Sequence, residues 1–391
     1  MNRIPILFVS HSGGKAGAEK SFIQALSVID RDKYDVHIVI PYKGWLSETV
    51  ESMGYTVHYI NMPWLIAGDL KIFNFAHRLV RSFISAIRIC FLLRKTKCRA
   101  VITNSSVLFA PAIAAYLYDL PHIFFIRELY SKNRHLMFML GHRTAYYLMG
   151  YLSNKLICVS SAVMKDLPLT LQKQKSIVIL NDISDDLLRT FSMTTEETAA
   201  VRSQYGIAEN DFVVSVLSTV YPHKRQEDAV RALHIACKQD RNIKLLIVGS
   251  GSPQYIEYLK KLAVDFNISA NVVFTGFHTY IRQFYCVSNT VLSCADAEPF
   301  GLTMLEAIIL GRPVIAVAEG GTLDIIKDGV TGLYVPPRSP EKIAEKILFL
   351  KNNPLALVEM SVNARRSAFD KFSPQVFGGK INSIINSVVK I

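Results

Sequence analysis

Thirteen short apolar runs limit what this chain can fold into. Seven fall at residues 4–9, 36–40, 56–60, 100–103, 122–126, 156–159 and 177–180, and six at 212–217, 243–248, 272–275, 290–292, 313–317 and 332–335. Each is only three to six residues long, and stretches with helical spacing separate most of them. A short run apolar on both faces is what a parallel strand buried on both sides requires. Alternation of such runs with helices predicts parallel sheets with helices on both faces. The polar stretch 192–200 divides the runs into two series, so two successive α/β units are expected.

The length of 391 residues suits two domains, each able to bury its own core. Half of the residues are hydrophobic and the mean hydropathy is +0.24, but no stretch reaches the ~18 apolar residues of a spanning helix. The apolar run at residues 6–9 is too short for a secretory signal and leads straight into glycines. Six cysteines show neither a CxxC pair nor zinc spacing, which fits reduced thiols in a cytoplasmic protein and no metal site.

Three features of the second half point to chemistry. In Glu298-Pro299-Phe300-Gly301-Leu302-Thr303-Met304-Leu305-Glu306, two carboxylates flank a Pro-Phe-Gly turn and an apolar helical run. Such a turn offers backbone N–H groups at a helix N-terminus, where phosphate or sugar oxygens bind. Carboxylates accept hydrogen bonds from sugar or ribose hydroxyls. Next, Lys224 follows the strand that ends at Leu217, where a lysine can reach a diphosphate. A solvated lysine would look the same in isolation, and His223 reads as a spectator. Finally, Gly249 and Gly251, Gly276 before Phe277, and Gly320-Gly321 all follow strand ends, where glycine marks close ligand approach or a tight turn.

Together these residues resemble retaining glycosyltransferase family 4, the group 1 glycosyltransferases with the GT-B fold. The string through residues 212–337 carries the likeness: Lys224, Gly249 and Gly251, Gly276-Phe277, the EX7E motif Glu298–Glu306, Gly311-Arg312-Pro313, Gly320-Gly321 and Asp328-Gly329. More loosely, Gly17-Ala18-Glu19 resembles the family's GGxE loop. The resemblance implies two Rossmann-like doubly wound domains facing across a cleft. Their expected bounds are 1–188 for the acceptor, 189–372 for the nucleotide-sugar, and 373–391 for a helix crossing back to the first domain.

The roles implied are as follows. Lys224 and Glu298 are catalytic, the lysine neutralising the departing diphosphate and the glutamate orienting the donor sugar. Gly17, Gly249, Gly251, Gly276, Phe277, Phe300, Gly301, Leu302 and Glu306 bind the donor, with Glu306 on the ribose. The reaction retains configuration and needs no cofactor or metal, because lysine and helix N-termini supply the positive field. Two positions depart from the family: Ser218-Thr219 stand where many members have Gly-Arg, and Arg127-Glu128 where many have a histidine. Arg127 and Glu128 are therefore acceptor-site candidates, unless they only pair with each other.

Charge is uneven. Residues 71–155 hold 13 Lys and Arg but only 2 Asp and Glu. A helix over 71–97 would carry Arg81, Arg88 and Lys95 on one stripe, opposite Leu79, Phe83, Ala86, Ile87 and Cys90. A second segment, 132–155, mixes Arg134, His135, His142 and Arg143 with Phe138, Tyr146 and Tyr147. Such helices suit an anionic membrane surface, although a core helix with a solvated charged stripe looks similar. No nucleic-acid motif accompanies the charge. The expected protein is a peripheral enzyme on the cytoplasmic face of the membrane. It would move a sugar from a nucleotide-sugar, UDP- before GDP-, to a lipid-linked or saccharide acceptor in polysaccharide or glycolipid synthesis. The competing readings are a catalytically silent nucleotide-sugar-binding subunit and a GT-B sugar-nucleotide epimerase.

Overall fold

A computed structural model describes residues 3–66, 68, 71–133, 136–183, 193–296 and 298–389. All thirteen apolar runs form strands, and the ladders between them are parallel. In the first sheet, β1 (Ile4–Val9), β2 (Tyr34–Ile40), β3 (Thr56–Tyr59), β4 (Val101–Thr103), β5 (His122–Ile126), β6 (Lys155–Cys158) and β7 (Ser176–Val178) lie in the order β3-β2-β1-β4-β5-β6-β7. In the second, β8 (Phe212–Leu217), β9 (Ile243–Val248), β10 (Val272–Gly276), β11 (Thr290–Ser293), β12 (Val314–Val317) and β13 (Gly332–Val335) lie in the order β10-β9-β8-β11-β12-β13. Both sheets are doubly wound. Strand order reverses between β1 and β4, and between β8 and β11, and each reversal opens a crevice at the strands' carboxyl ends. Burial follows position: β5 and β8 are buried throughout, whereas the edge strand β3 exposes Thr56 and Tyr59.

Contacts divide the chain into residues 1–182 with 374–391, and residues 183–373. The boundary expected at 188/189 lies outside the described residues; beside the division at 182/183, the Ile183 N–H donates to Phe372 O at 2.9 Å within the second unit. Helix Pro374–Val388 belongs to the first unit and puts Phe377, Ile381 and Ile385 into the same core as Ile6, Phe22 and Ile38. Its Asn382 Nδ2 donates to Val28 O at 2.7 Å, satisfying a carbonyl at the end of helix α1 (Gly17–Ser27).

Helix α1 starts earlier than its apolar spacing suggests. The Glu19 carboxylate accepts the Ala16 N–H at 3.0 Å, so the helix is capped within the glycine loop. After α2 (Trp45–Ser52) comes α3 (Ile72–Thr96), the long helix expected near 71–97, and the apolar stripe opposite its cations is divided between core and surface. Ser82, Ser85, Ala86, Ile89, Leu92 and Leu93 are buried, whereas Phe83 and Ile87 stand about half exposed. The physical reason is packing. Helix α3 lies against the alanine-rich α4 (Ala110–Leu117), and close approach there favours small side chains inside. In α5 (His142–Leu152), Tyr146 is buried while His142, Arg143 and Tyr147 are exposed; Arg134 and His135 lie outside the described residues.

Candidate functional site

The second unit gathers its motif residues at the carboxyl ends of β8, β9, β10, β11 and β12. After β8 the chain makes a short 3-10 turn, Pro222–Lys224, before helix Gln226–Cys237. The turn presents Lys224, whose Nζ lies 2.6 Å from Glu298 Oε2. Both side chains are about one-fifth exposed, at 20% and 23%, so the pair is partly desolvated yet open to a ligand.

Glu298 belongs to the turn before helix Leu302–Ile309. Gly301 caps that helix at φ +100°, in the left-handed region, and an added Cβ would lie 2.1 Å from Met304 Cε. Glu298 O accepts the Gly321 N–H at 2.8 Å, so the Gly320-Gly321 loop holds the turn from behind. The Phe300 side chain is core, edge-on to Phe372 at 6.3 Å. Any donor contact from Phe300 would therefore come from its backbone. At the helix start, the N–H groups of Leu302 and Thr303 have no acceptor within the helix and face the first-turn position where anions bind.

One turn further on, Glu306 accepts a hydrogen bond from the Tyr285 hydroxyl at 2.7 Å. Tyr285 is fully buried, and burial, the Glu306 charge and this bond push its pKa well above the usual phenol value. It therefore remains a proton donor to the carboxylate. Motif spacing does not single out Tyr285, because it sits 21 residues before Glu306 on helix Arg282–Val287.

The glycine loops prove to be packed by the protein itself. A Cβ on Gly249 would lie 2.1 Å from Ser218 O, and one on Gly251 2.1 Å from Val220 O. The loops after β8 and β9 are zipped together through Val220 N–Ser250 O and Ser252 N–Val220 O, both 3.0 Å. The close approach that demands glycine here is backbone on backbone. Buried Gln226 adds a further tie, its Nε2 donating to Ser218 Oγ and Thr219 O at 2.9 Å each. Ser218-Thr219, at the place where many members of the family have Gly-Arg, thus forms an anchored loop.

These loops surround a cavity of ≈ 160 Å³ lined by Leu217, Thr219, Gly249, Phe277, His278 and Thr303, among others. Of these, His278 and Thr303 are not singled out by the motifs, although they adjoin Phe277 and Leu302. Gly276 ends β10 at φ +77°, and Phe277 beyond it is two-thirds exposed. Among the described residues, no three His, Cys, Asp or Glu side chains gather as a metal-binding group.

The first unit holds Gly17, Arg127 and Glu128 at the carboxyl ends of its strands. Gly17 is the exposed first residue of α1. Arg127 is buried, and all three guanidinium nitrogens are used: Nε and Nη2 donate to Asn104 Oδ1, at 3.2 and 2.7 Å, and Nη1 donates to Asn181 Oδ1 at 3.0 Å. Burial brings its pKa down to about 10, so it stays cationic at neutral pH. Arg127 thereby ties the ends of β4, β5 and β7 together. Glu128 accepts from Asn133 Nδ2 at 3.2 Å.

Comparison with known proteins follows the same division. Residues 197–367 match the family model of the glycosyl transferases group 1. The chain is 28% identical over 205 residues to a GDP-mannose-dependent alpha-(1-6)-phosphatidylinositol monomannoside mannosyltransferase of Mycolicibacterium smegmatis, covering 50% of this chain and 53% of that protein. It is 29% identical over 180 residues to the poly(ribitol-phosphate) alpha-N-acetylglucosaminyltransferase of Staphylococcus aureus, covering 46% and 36%. The chain thus spans about half the length of the curated relatives it matches. Among solved structures, Anabaena HepE in complex with UDP and glucose superposes with a TM-score of 0.80 at 21% identity, over 98% of this chain and 100% of that one. The lipopolysaccharide glycosyltransferase WaaG gives 0.70 at 15% identity, over 97% and 99%. At such identities these likenesses establish the fold, which is GT-B.

Proposed function

We propose that this chain, whose residues 197–367 match the group 1 glycosyl transferases, moves a sugar from a nucleotide-diphosphate-sugar to a saccharide or lipid-linked acceptor. The observation that carries the reading is the Lys224–Glu298 pair beside an open helix N-terminus. In the pair the lysine and glutamate neutralise each other. An arriving diphosphate would take the lysine, leaving Glu298 to accept hydrogen bonds from sugar hydroxyls. As the bond to the anomeric carbon breaks, negative charge grows on the β-phosphate oxygen, and Lys224 and the first-turn amides stabilise it. That oxygen then takes the acceptor's proton on the same face, which retains the anomeric configuration. On this reading the positive field comes from the protein, and no metal or cofactor takes part. Glu306, held by Tyr285, binds the ribose hydroxyls. Gly249, Gly251, Gly276 and Phe277 shape the base end, and Gly17 of the first unit is assigned to the donor by the family resemblance.

A UDP-sugar is proposed before a GDP-sugar, with the base in the ≈ 160 Å³ cavity beside Phe277. The GDP-mannose-dependent relatives argue the other way, and thermal shifts with UDP and GDP decide between them. Arg127 supports the acceptor site from beneath, and Glu128 faces the acceptor. No helix among the described residues is long and apolar enough to cross a membrane. The basic first unit supports peripheral association with the cytoplasmic leaflet, where a lipid-linked acceptor would be met.

Lys224→Ala and Glu306→Ala test transfer. Each should lower nucleotide release from the donor in the presence of membrane acceptors, Lys224→Ala by about 10²-fold. If neither variant lowers it, the catalytic reading fails. The missing arginine at Ser218-Thr219 favours one second reading, a silent subunit that binds nucleotide-sugar. In that case donors would raise the melting temperature while no nucleotide is released.

A further inference from the structure

Helix α3 is apolar on two opposite sides, and only one of them is used by the fold. Ser82, Ser85, Ala86 and Ile89 face inward, where the helix packs on α4. On the outer side stand Phe73, Val80, Phe83, Ile84, Ile87 and Phe91, exposed by 47–85%. At ~100° per residue these six fall within an arc of roughly 100°, the width of a complete amphipathic face. Scattered exposed apolar residues are ordinary, but a contiguous stripe along a 25-residue helix is an interaction surface.

The charges around the stripe say what covers it. Arg81, Arg88 and Lys95 recur every seven residues along one edge, Arg94 closes the carboxyl end, and α3 contains no acidic residue. Across residues 71–155 the only acidic side chains are Asp119 and Glu128. Helices α4 and α5, in the same layer, add exposed aromatics at their carboxyl ends. Tyr116 and Tyr151 pair with hydroxyls 2.9 Å apart and rings 5.5 Å apart, more than half exposed. Tyrosines in such a place prefer the level of lipid headgroups, with ring in the apolar layer and hydroxyl in the wet one. A second copy of this chain packed antiparallel across a two-fold axis would set its basic edge against the same basic edge. An anionic bilayer accepts both the stripe and the cations.

We propose that the outer face of α3, flanked by the Tyr116–Tyr151 pair, is a docking surface for an anionic lipid bilayer, with α3 lying along the interface. The six side chains enter the acyl boundary, and Arg81, Arg88 and Lys95 reach up to lipid phosphates. This names the residues behind the peripheral association proposed above and rests on that reading only for its purpose. Lipid binding is measured without donor or acceptor, so its failure leaves sugar transfer untouched.

The test is flotation of the full chain with vesicles of phosphatidylcholine, either alone or with about 30% phosphatidylglycerol to supply negative surface potential. Binding to the anionic vesicles is expected, at least ~10-fold weaker in ~0.5 M salt, where the Debye length falls below ~5 Å. Phe83→Ser, Ile87→Ser and Phe91→Ser together should weaken it by ~10-fold or more without lowering the melting temperature. Should that triple variant fail to fold, Phe91→Trp reports insertion directly, by a blue shift of the added emission over that of Trp45 and Trp64 and its quenching by brominated lipid. Wild-type binding indifferent to phosphatidylglycerol overturns the proposal, as does a folded triple variant that floats like wild type or a Phe91→Trp emission unmoved by vesicles. A wild-type dimer that the triple substitution turns into monomer, with vesicle binding unchanged, assigns the face to self-association instead.

Discussion

Replacing Tyr285 by Phe removes one hydroxyl and nothing else, at a position that is fully buried. The lost contacts are the 2.7 Å bond to Glu306 Oε2, which dominates because its acceptor is charged, and a longer one of 3.3 Å to Thr303 O. A hydrogen bond to a charged group contributes about 1.5–3 kcal/mol, and the lower end applies here because Glu306 is only half-buried and water can replace the phenol. If Glu306 holds the donor ribose, the carboxylate loses its fixed direction. About 1.5 kcal/mol then appears as a roughly 10-fold rise in donor KM. Because the ribose is remote from the breaking bond, kcat should change by less than about threefold. Initial rates of nucleotide release across donor concentrations give both constants. The decisive comparison is with Glu306→Gln and the double variant. If Tyr285 acts through Glu306, the double variant has the donor KM of Glu306→Gln alone, a coupling of about 1.5 kcal/mol. Additive effects would refute the reasoning, because they would mean the tyrosine only packs. An unchanged KM in Glu306→Gln would instead remove Glu306 from the donor site.

Three further outcomes are expected. Gly301→Ala places a Cβ at φ +100° and 2.1 Å from Met304 Cε, so it should cost about 1–3 kcal/mol in urea unfolding and weaken donor binding; a neutral result would mean the turn can relax. Arg127→Met strands Asn104 and Asn181 and should cost about 2–4 kcal/mol, seen as a lower melting temperature; an unchanged one would show that the three strand ends hold without it. The third concerns His122, which is buried, bonded to Thr103 Oγ1 and Ser153 Oγ, and pushed by burial from 6.5 down to about 3. Its folded pKa lies below its unfolded one, so the unfolded chain binds the extra proton. Stability should therefore be full above about pH 6.5 and fall toward pH 3 by up to ~1.4 kcal/mol per unit. Urea midpoints of His122→Gln should show a flatter slope over that range, and an equal slope would assign the acid sensitivity to other groups.

The strands were legible because a buried parallel strand leaves a strong trace: a short run of β-branched and aliphatic residues between turns. Runs such as 122–126, 212–217 and 243–248 coincide with β5, β8 and β9. The turn, cap and helix from Glu298 to Glu306 were legible for a similar reason, since they follow one another locally. What could not be read was anything set by residues distant in the chain. The Lys224–Glu298 pair spans 74 residues, and the Arg127–Asn181 bond spans 54. The Tyr285–Glu306 bond joins two helices that only the sheet brings together.

The faces of α3 show the division most plainly. Its sequence by itself determined a long basic helix, because helical periodicity and the lack of acidic residues are local properties. It could not determine which apolar arc turns inward, since the helix has two. The tertiary structure decided that through the alanines of α4, against which Ser82, Ser85 and Ala86 fit closely, and so left Phe83, Ile87 and Phe91 outside. Periodicity records that a face is apolar. Only the shape of the neighbouring helix selects which face the core receives.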